Sequence, residues 1–171
     1  MRAAKTESIT IRRELQPGDI GEITRLHGAV YNAERGHGIA FEAYVAAGLA
    51  EFVHQYAPAR DALWICEEAG RVVGTLFLMH RKAAAQLRYF LVLPEYRGCG
   101  LGKSLMRDYM AALRERGYAS SFLWTTNELA AAASLYRRHG FALTEERPST
   151  RFGKPLIEQK FEWRADPVLR N

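Results

Sequence analysis

Cysteine is scarce in this chain: Cys66 and Cys99 are the two in 171 residues. One falls in an apolar segment and the other between glycines, so the sequence offers no disulfide framework. No Cys/His pair has the spacing of a zinc site, and a metal is not expected. Long apolar runs are missing as well. No segment approaches the ~18 consecutive apolar residues of a membrane span. The start, Met1 to Thr10, is polar and lacks the apolar stretch of a signal peptide. These absences lead to the expectation of a cytoplasmic protein that does not engage a membrane. Charge of one sign is not concentrated either. The net +5 is spread along the chain, apart from small groups such as Arg12-Arg13 and Arg137-Arg138. Without a basic stripe or a nucleic-acid-binding motif, nucleic acid is not the expected partner; a small anionic ligand is.

What is present is an ordinary globule: 48% hydrophobic and 25% charged residues, enough for one domain over 1–171 with its core at about 8–164. Alternation over Ser8 to Glu14 predicts a first strand. Pro17-Gly18-Asp19 starts a helix that Asp19 can cap, with Ile20, Ile23, Leu26 and Val30 at helical spacing. Gly36-His37-Gly38 breaks it. Phe41 to Tyr56 predicts a second helix, closed by Pro58. Ala62–Glu68 and Val72–His80 read as a hairpin, and Gln86–Leu93 as another strand. Gly102–Arg116 and Leu129–His139 are helical, the latter ended by Gly140. Ser120–Thr126, Phe141–Glu146 and Leu156–Trp163 are strands, and the tail from Ala165 is expected to fray. The order β-α-α-β-β-β-α-β-α-β-β predicts an α/β fold of the α+β kind, one mixed sheet flanked by helices on both faces.

The segment Leu91-Val92-Leu93-Pro94-Glu95-Tyr96-Arg97-Gly98-Cys99-Gly100-Leu101-Gly102-Lys103 carries the most information. It predicts a strand, a tight glycine loop and a helix N-terminus, which together expose backbone N–H groups to an anion. A Walker A loop is out of register, because Arg97 stands where its first glycine belongs. A dinucleotide fingerprint needs G-x-G-x-x-G after a first strand, and here the glycines run G-x-G-x-G after several elements. A plain turn that needs glycine for positive φ remains open on the loop alone.

Arg97-Gly98-Cys99-Gly100-Leu101-Gly102 resembles the R/Q-x-x-G-x-G/A pattern of the GNAT superfamily of acetyl-CoA-dependent N-acyltransferases, and the preceding Leu91 to Tyr96 is similar to its V-x-P-x-Y approach. About 35 residues on, Leu135-Tyr136-Arg137-Arg138-His139-Gly140-Phe141 resembles the second hallmark, A/L-Y-x-x-x-G-F. The resemblance spans Ile9 to Trp163. His27-Gly28 to Tyr31 and Arg151-Phe152-Gly153-Lys154 also resemble acetyltransferase domains that some proteins fuse to a MarR-type regulator, though no such DNA-binding domain is expected here.

The resemblance implies an N-acetyltransferase that uses acetyl-CoA by direct transfer, with a homodimer as a common family arrangement. It implies pyrophosphate binding by Arg97, Gly98, Cys99, Gly100, Leu101, Gly102 and Lys103, and pantetheine binding along Phe90-Leu91-Val92, a strand that splays from its neighbour. It makes Tyr136 the general acid toward the leaving sulfur. The family's base positions hold Gln86 and Trp124 here, so Glu34, His27, His37, His80 or a water chain are the alternatives. Leu129 stands where an Asn is common, seven residues before the tyrosine; Asn127 is the nearby substitute, contacting the cofactor arm or capping the helix. Tyr31, Glu34, Tyr44 and Arg151 are expected at the acceptor pocket, where an acidic Glu34 would suit a cationic amine. Cys99, at a helix N-terminus, is either a reactive thiol whose modification blocks the cofactor or a tolerated small side chain. The competing function is an acyl-CoA-binding regulatory module with little turnover.

Overall fold

The structure, a computed structural model, describes residues 8–166. The polar segment Met1 to Glu7 and the expected fraying beyond Asp166 lie outside the described residues. The elements run β1 (Thr10–Arg12), α1 (Asp19–Arg35), α2 (Ile39–Gln55), β2 (Ala62–Glu68), β3 (Arg71–Arg81), β4 (Ala84–Val92), α3 (Leu101–Glu115), β5 (Ser120–Thr126), α4 (Ala130–Arg138), β6 (Ala142–Ser149) and β7 (Leu156–Arg164). This is the predicted order. A seven-stranded sheet forms in the order β1-β2-β3-β4-β5-β7-β6. Every pairing is antiparallel except β4 with β5, which are parallel and joined through α3.

Alternation along the strands divides the core between the two faces. Phe77 of β3 meets Phe52 of α2 at a ring distance of 5.0 Å. Trp64 of β2 meets Tyr109 of α3 at 6.3 Å on the opposite face. Trp64, Tyr109, Phe52 and Phe77 are all fully buried.

Several boundaries differ from the sequence reading for local reasons. The first strand shrinks to three residues, because only Thr10 to Arg12 pair with β2. The Arg12 guanidinium instead ties the strand to α1 through Asp19 at 2.7 Å and to Glu67 at 2.7 Å. Asp19 is therefore not the cap. Gly18 occupies that position at φ 101, and the Asp19 carboxylate accepts the Gln16 N–H at 2.6 Å. β6 runs three residues past Glu146 through Pro148 to Ser149. It is the last strand of the sheet, where a missing N–H costs no ladder bond.

Candidate active site

β4 and β5 start side by side and then part. Their pairing consists of Ala85 with Ser121 and Gln86 with Phe122. Beyond Gln86 the β4 edge is open. The register between β3 and β4 breaks where Thr75 opposes Leu91 and Phe77 opposes Arg88. The extra β4 residue is accommodated at Tyr89, a non-glycine at φ 51. Thr75 Oγ1 donates to the Tyr89 carbonyl at 2.6 Å and holds the bulge in place. Consecutive side chains then serve different sides. Arg88 and Tyr89 both reach Gly48 of α2, while Phe90 turns to Gly102 of α3 and Tyr136 of α4.

The open edge has a definite polarity. Leu93 N–H donates to the Val73 carbonyl at 2.9 Å. Alternation then directs the polar groups of Leu91 to β3 and those of Phe90 and Val92 to the cleft. Of the three residues expected along the cofactor, Phe90 and Val92 offer backbone groups, and Leu91 contributes a buried side chain. The Val92 carbonyl is already bonded, accepting Arg97 Nε at 3.0 Å. Its N–H remains for a ligand.

Past the strand, a 3₁₀ turn at Pro94–Tyr96 leads into the glycine loop. Gly98 at φ 76 and Gly100 at φ 95 take the left-handed conformation, and a Cβ at either would meet nothing within 4 Å. Space is therefore not why glycine stands there; backbone conformation is. Gly100 caps α3 without a side-chain partner, so the first-turn N–H groups are free for an anion. Leu101 is buried and anchors this helix end, and Lys103 is exposed. Cys99 Sγ–H donates to the Tyr96 carbonyl at 2.9 Å, folding the thiol back into the loop. Arg97 is not turned to the loop's N–H groups. Besides Val92 it holds Glu34 at 2.8 Å, bracing α1 against the loop.

Tyr136 projects from α4 into the same cleft. Its ring is buried, 6.2 Å from Phe90, 6.3 Å from Phe141 and 6.0 Å from Phe161. No side chain among the described residues bonds its hydroxyl. Burial pushes the phenol well above its ordinary range, so it stays protonated.

Beyond Tyr136 lies a cavity of about 100 Å³ lined by residues from α1, α2, β4, β5, α4 and β7. Tyr31, His37, Phe41 and Phe152 form an aromatic cluster in it, with ring distances of 4.5 to 5.4 Å. The segment Arg151 to Lys154 closes over that cluster. Its Phe152 carbonyl accepts the Gly38 N–H at 2.8 Å, and Lys154 Nζ donates to the Arg35 carbonyl at 2.8 Å.

A family model for the acetyltransferase (GNAT) domain matches residues 59–143, which include β4, the glycine loop and Tyr136. The chain belongs to the GNAT superfamily. It is 34% identical over 104 residues to N-acetyltransferase family 8 member 2 of Rattus norvegicus, covering 57% of this chain and 46% of that protein. It is 33% identical over 97 residues to the uncharacterized N-acetyltransferase YjgM of Escherichia coli, covering 54% of this chain and 58% of that one. This chain thus spans about half the length of the curated relatives it matches. Among solved structures, yncA of Salmonella typhimurium, determined with its cofactor acetyl-CoA, superposes with a TM-score of 0.69 at 20% identity over 94% of this chain and 95% of that one. That likeness is one of fold.

Within the GNAT cleft, the expected acceptor residues Tyr31, Tyr44 and Arg151 line the cavity and Glu34 does not. Its pairing with Arg97 takes it to the loop, so it offers no negative charge to an acceptor. Asn127 caps no helix, since α4 is preceded by Leu129, and its Oδ1 accepts the Ile157 N–H at 3.1 Å. The usual base positions are chemically silent. Gln86 is held by Arg81 at 2.9 Å, and Trp124 lies under Arg147 at 4.1 Å. His80 is remote from the cavity, bonded to Tyr118 at 2.8 Å. His37 and His27 both line it. His37 Nε2 lies 3.2 Å from the Glu128 carboxylate, and its Nδ1 is buried without a partner. Glu128 was not a candidate from sequence. No local pattern marks it, because His37 stands 91 residues away. Among the described residues no His/Cys/Asp/Glu group could hold a metal ion, and no helix is long and apolar enough to cross a membrane.

His27 donates through Nδ1 to the Ile23 carbonyl at 2.8 Å. Burial, with a smaller push from Arg88, lowers its pKa from 6.5 to about 4. The unfolded chain therefore binds a proton that the folded chain refuses between those values. Stability is full above pH 6.5 and declines as pH falls toward 4. The expected loss at pH 5 is about 2 kcal/mol. Urea unfolding at pH 7.5 and pH 5 measures it, and His27→Gln should remove most of that difference; a variant with the same pH dependence would assign it elsewhere.

Proposed function

We propose that this chain is an N-acetyltransferase that moves the acetyl group of acetyl-CoA directly onto a primary amine of a small molecule or peptide. The observation that carries the reading is one continuous wall: glycine cradle, free β4 edge, Tyr136 and acceptor cavity, in that order along the cleft. The fit to the donor rests on the chain's own groups. Free N–H groups at Gly100 to Lys103 suit a pyrophosphate, and Phe90 and Val92 suit an extended amide-rich arm. N-acetyltransferase relatives and an acetyl-CoA-bound structural neighbour support the same donor. Acetyl-CoA supplies an acetyl thioester.

The residues then divide the work. Val92 N–H polarises the acyl oxygen, a site where a fixed donor gains most as charge develops. His37, oriented by Glu128 through Nε2, takes the acceptor's ammonium proton at Nδ1. Attack leaves one more proton to be lost from the new amide nitrogen; Tyr136 gives its phenolic proton to the departing sulfur and recovers that one, so CoA leaves as the thiol and the phenol is restored. Among the described residues no nucleophilic side chain is set for an acyl-enzyme, so attack by the amine itself is the consistent route.

The deciding experiment pairs calorimetry with acetyl-CoA and an amine-library assay of CoA release. Binding with release for some amines is expected. Binding without release for any amine would favour an acyl-CoA-sensing module, and failure to bind would remove both readings. For the base, His37→Gln should lower kcat/KM at pH 7 about 10²-fold. The deficit should shrink as pH rises and free amine accumulates. A pH profile parallel to that of the unaltered protein would take His37 out of the proton path.

A further inference from the structure

We propose that the acceptor amine carries a carboxylate, making it a free amino acid or close analogue, and that Arg88 selects it; this rests on the acetyltransferase reading above. Arg88 interrupts the otherwise uncharged β4 run Ala84 to Val92. Its guanidinium lies over the rings of Tyr44 at 4.9 Å and Tyr89 at 4.7 Å, on the cavity wall. Its Nη2 is buried without a hydrogen-bond partner, and no carboxylate among the described residues pairs with it. Arg88 is half-buried, and a guanidinium nitrogen kept from water without a partner is costly to a folded chain. The fold nevertheless makes room for it. A Cβ on Gly48 would stand 2.7 Å from Arg88 Nη1 and 2.3 Å from Tyr89 Oη. The bulge at Tyr89 sends both side chains to that side.

The remaining charges point the same way. Glu158 is the one acidic residue lining the cavity among the described residues, and Arg151 at 2.9 Å and Arg147 at 3.1 Å already hold it. His27 stays neutral, and because its Nδ1 donates to Ile23, its unpartnered Nε2 is an acceptor for an N–H. Among the described residues the wall therefore carries one unpaired cation, two imidazole acceptors in His27 Nε2 and His37 Nδ1, and no unpaired anion. A planar carboxylate fits a single guanidinium fork with two parallel bonds. A cationic polyamine would find repulsion instead, and about 100 Å³ suits a compact acceptor.

The test is a panel of free L-amino acids against the matching carboxamides, which keep the amine and lose the charge. Acetylation of the best amino acid should exceed that of its carboxamide roughly 30-fold in kcat/KM, as expected for a charge-assisted bidentate bond. Arg88→Gln should reduce that ratio below about 3-fold, with acetyl-CoA affinity unchanged by calorimetry. Arg88→Lys, which keeps charge but not the fork, should fall between. Thermal unfolding checks the variants; Arg88→Gln should melt close to the parent, since it frees the unpartnered Nη2 site but loses the stacking on Tyr44 and Tyr89. Equal rates for acids and carboxamides, preference for a polyamine, or a ratio that survives Arg88→Gln would overturn the inference. If acetyl-CoA binds but no amine reacts, the acetyltransferase reading fails separately. Calorimetry of amino acid against carboxamide on CoA-loaded protein then still reads the carboxylate preference.

Discussion

Tyr136→Phe is expected to lower kcat about 10²-fold or more while leaving acetyl-CoA affinity and thermal stability nearly unchanged. The ring is what the fold uses. The residue is 5% exposed, and its ring neighbours are Phe90, Phe141 and Phe161. Phenylalanine preserves those contacts. The hydroxyl has no partner among the described side chains, so its removal strands no other group. Its one chemical asset is a proton that burial keeps in place. A thiolate leaving without that proton costs the reaction and not the fold. Stopped-flow or steady-state kinetics beside a thermal melt separates the two. Unchanged kcat would take the proton-donor role from Tyr136, and a collapsed melting temperature would make it a packing residue.

Gly100→Ala should weaken acetyl-CoA binding about 10-fold, and Gly102→Ala less than about 3-fold. The two glycines do different work. Gly100 sits at φ 95 with open space around a Cβ, so an alanine there is strained by its own backbone, by about 1–2 kcal/mol. The loop relieves that strain by turning its N–H groups away from a common point. Gly102 lies within α3, and its Cβ would touch Phe90 at 3.6 Å and Val92 at 3.9 Å, ordinary contact distances. Its alanine is tolerated, and only a larger side chain would fill the donor's path. Calorimetry with acetyl-CoA decides the matter. Equal losses for both variants would mean that steric access, not backbone conformation, governs the cradle.

The donor half of the proposed site was the more legible because it is local. A glycine loop at a helix start is written in consecutive residues, and Tyr136 lies in a contiguous helical segment closed by Gly140. Element order followed from periodicity for the same reason. The acceptor half was not legible, because its residues meet only through the tertiary fold. Glu34 read as a negative charge for the acceptor, yet Arg97, 63 residues later, draws it away. His37 was one histidine among several until Glu128 came to orient it. Arg88 was the nearest to visible, a charge in an apolar strand, but nothing in sequence showed that it has no partner.

By itself, then, the sequence determined the elements, their order and the glycine loop at the start of α3, set by short-range stereochemistry and spacing, while Tyr136 was singled out by the family resemblance. The resemblance implied that β4 splays from its neighbour; tertiary structure alone decided that it does so after two pairs, that Tyr89 takes a left-handed backbone, and which side chains share the resulting cavity. Those outcomes depend on strand register and on contacts between distant segments, which no local pattern records.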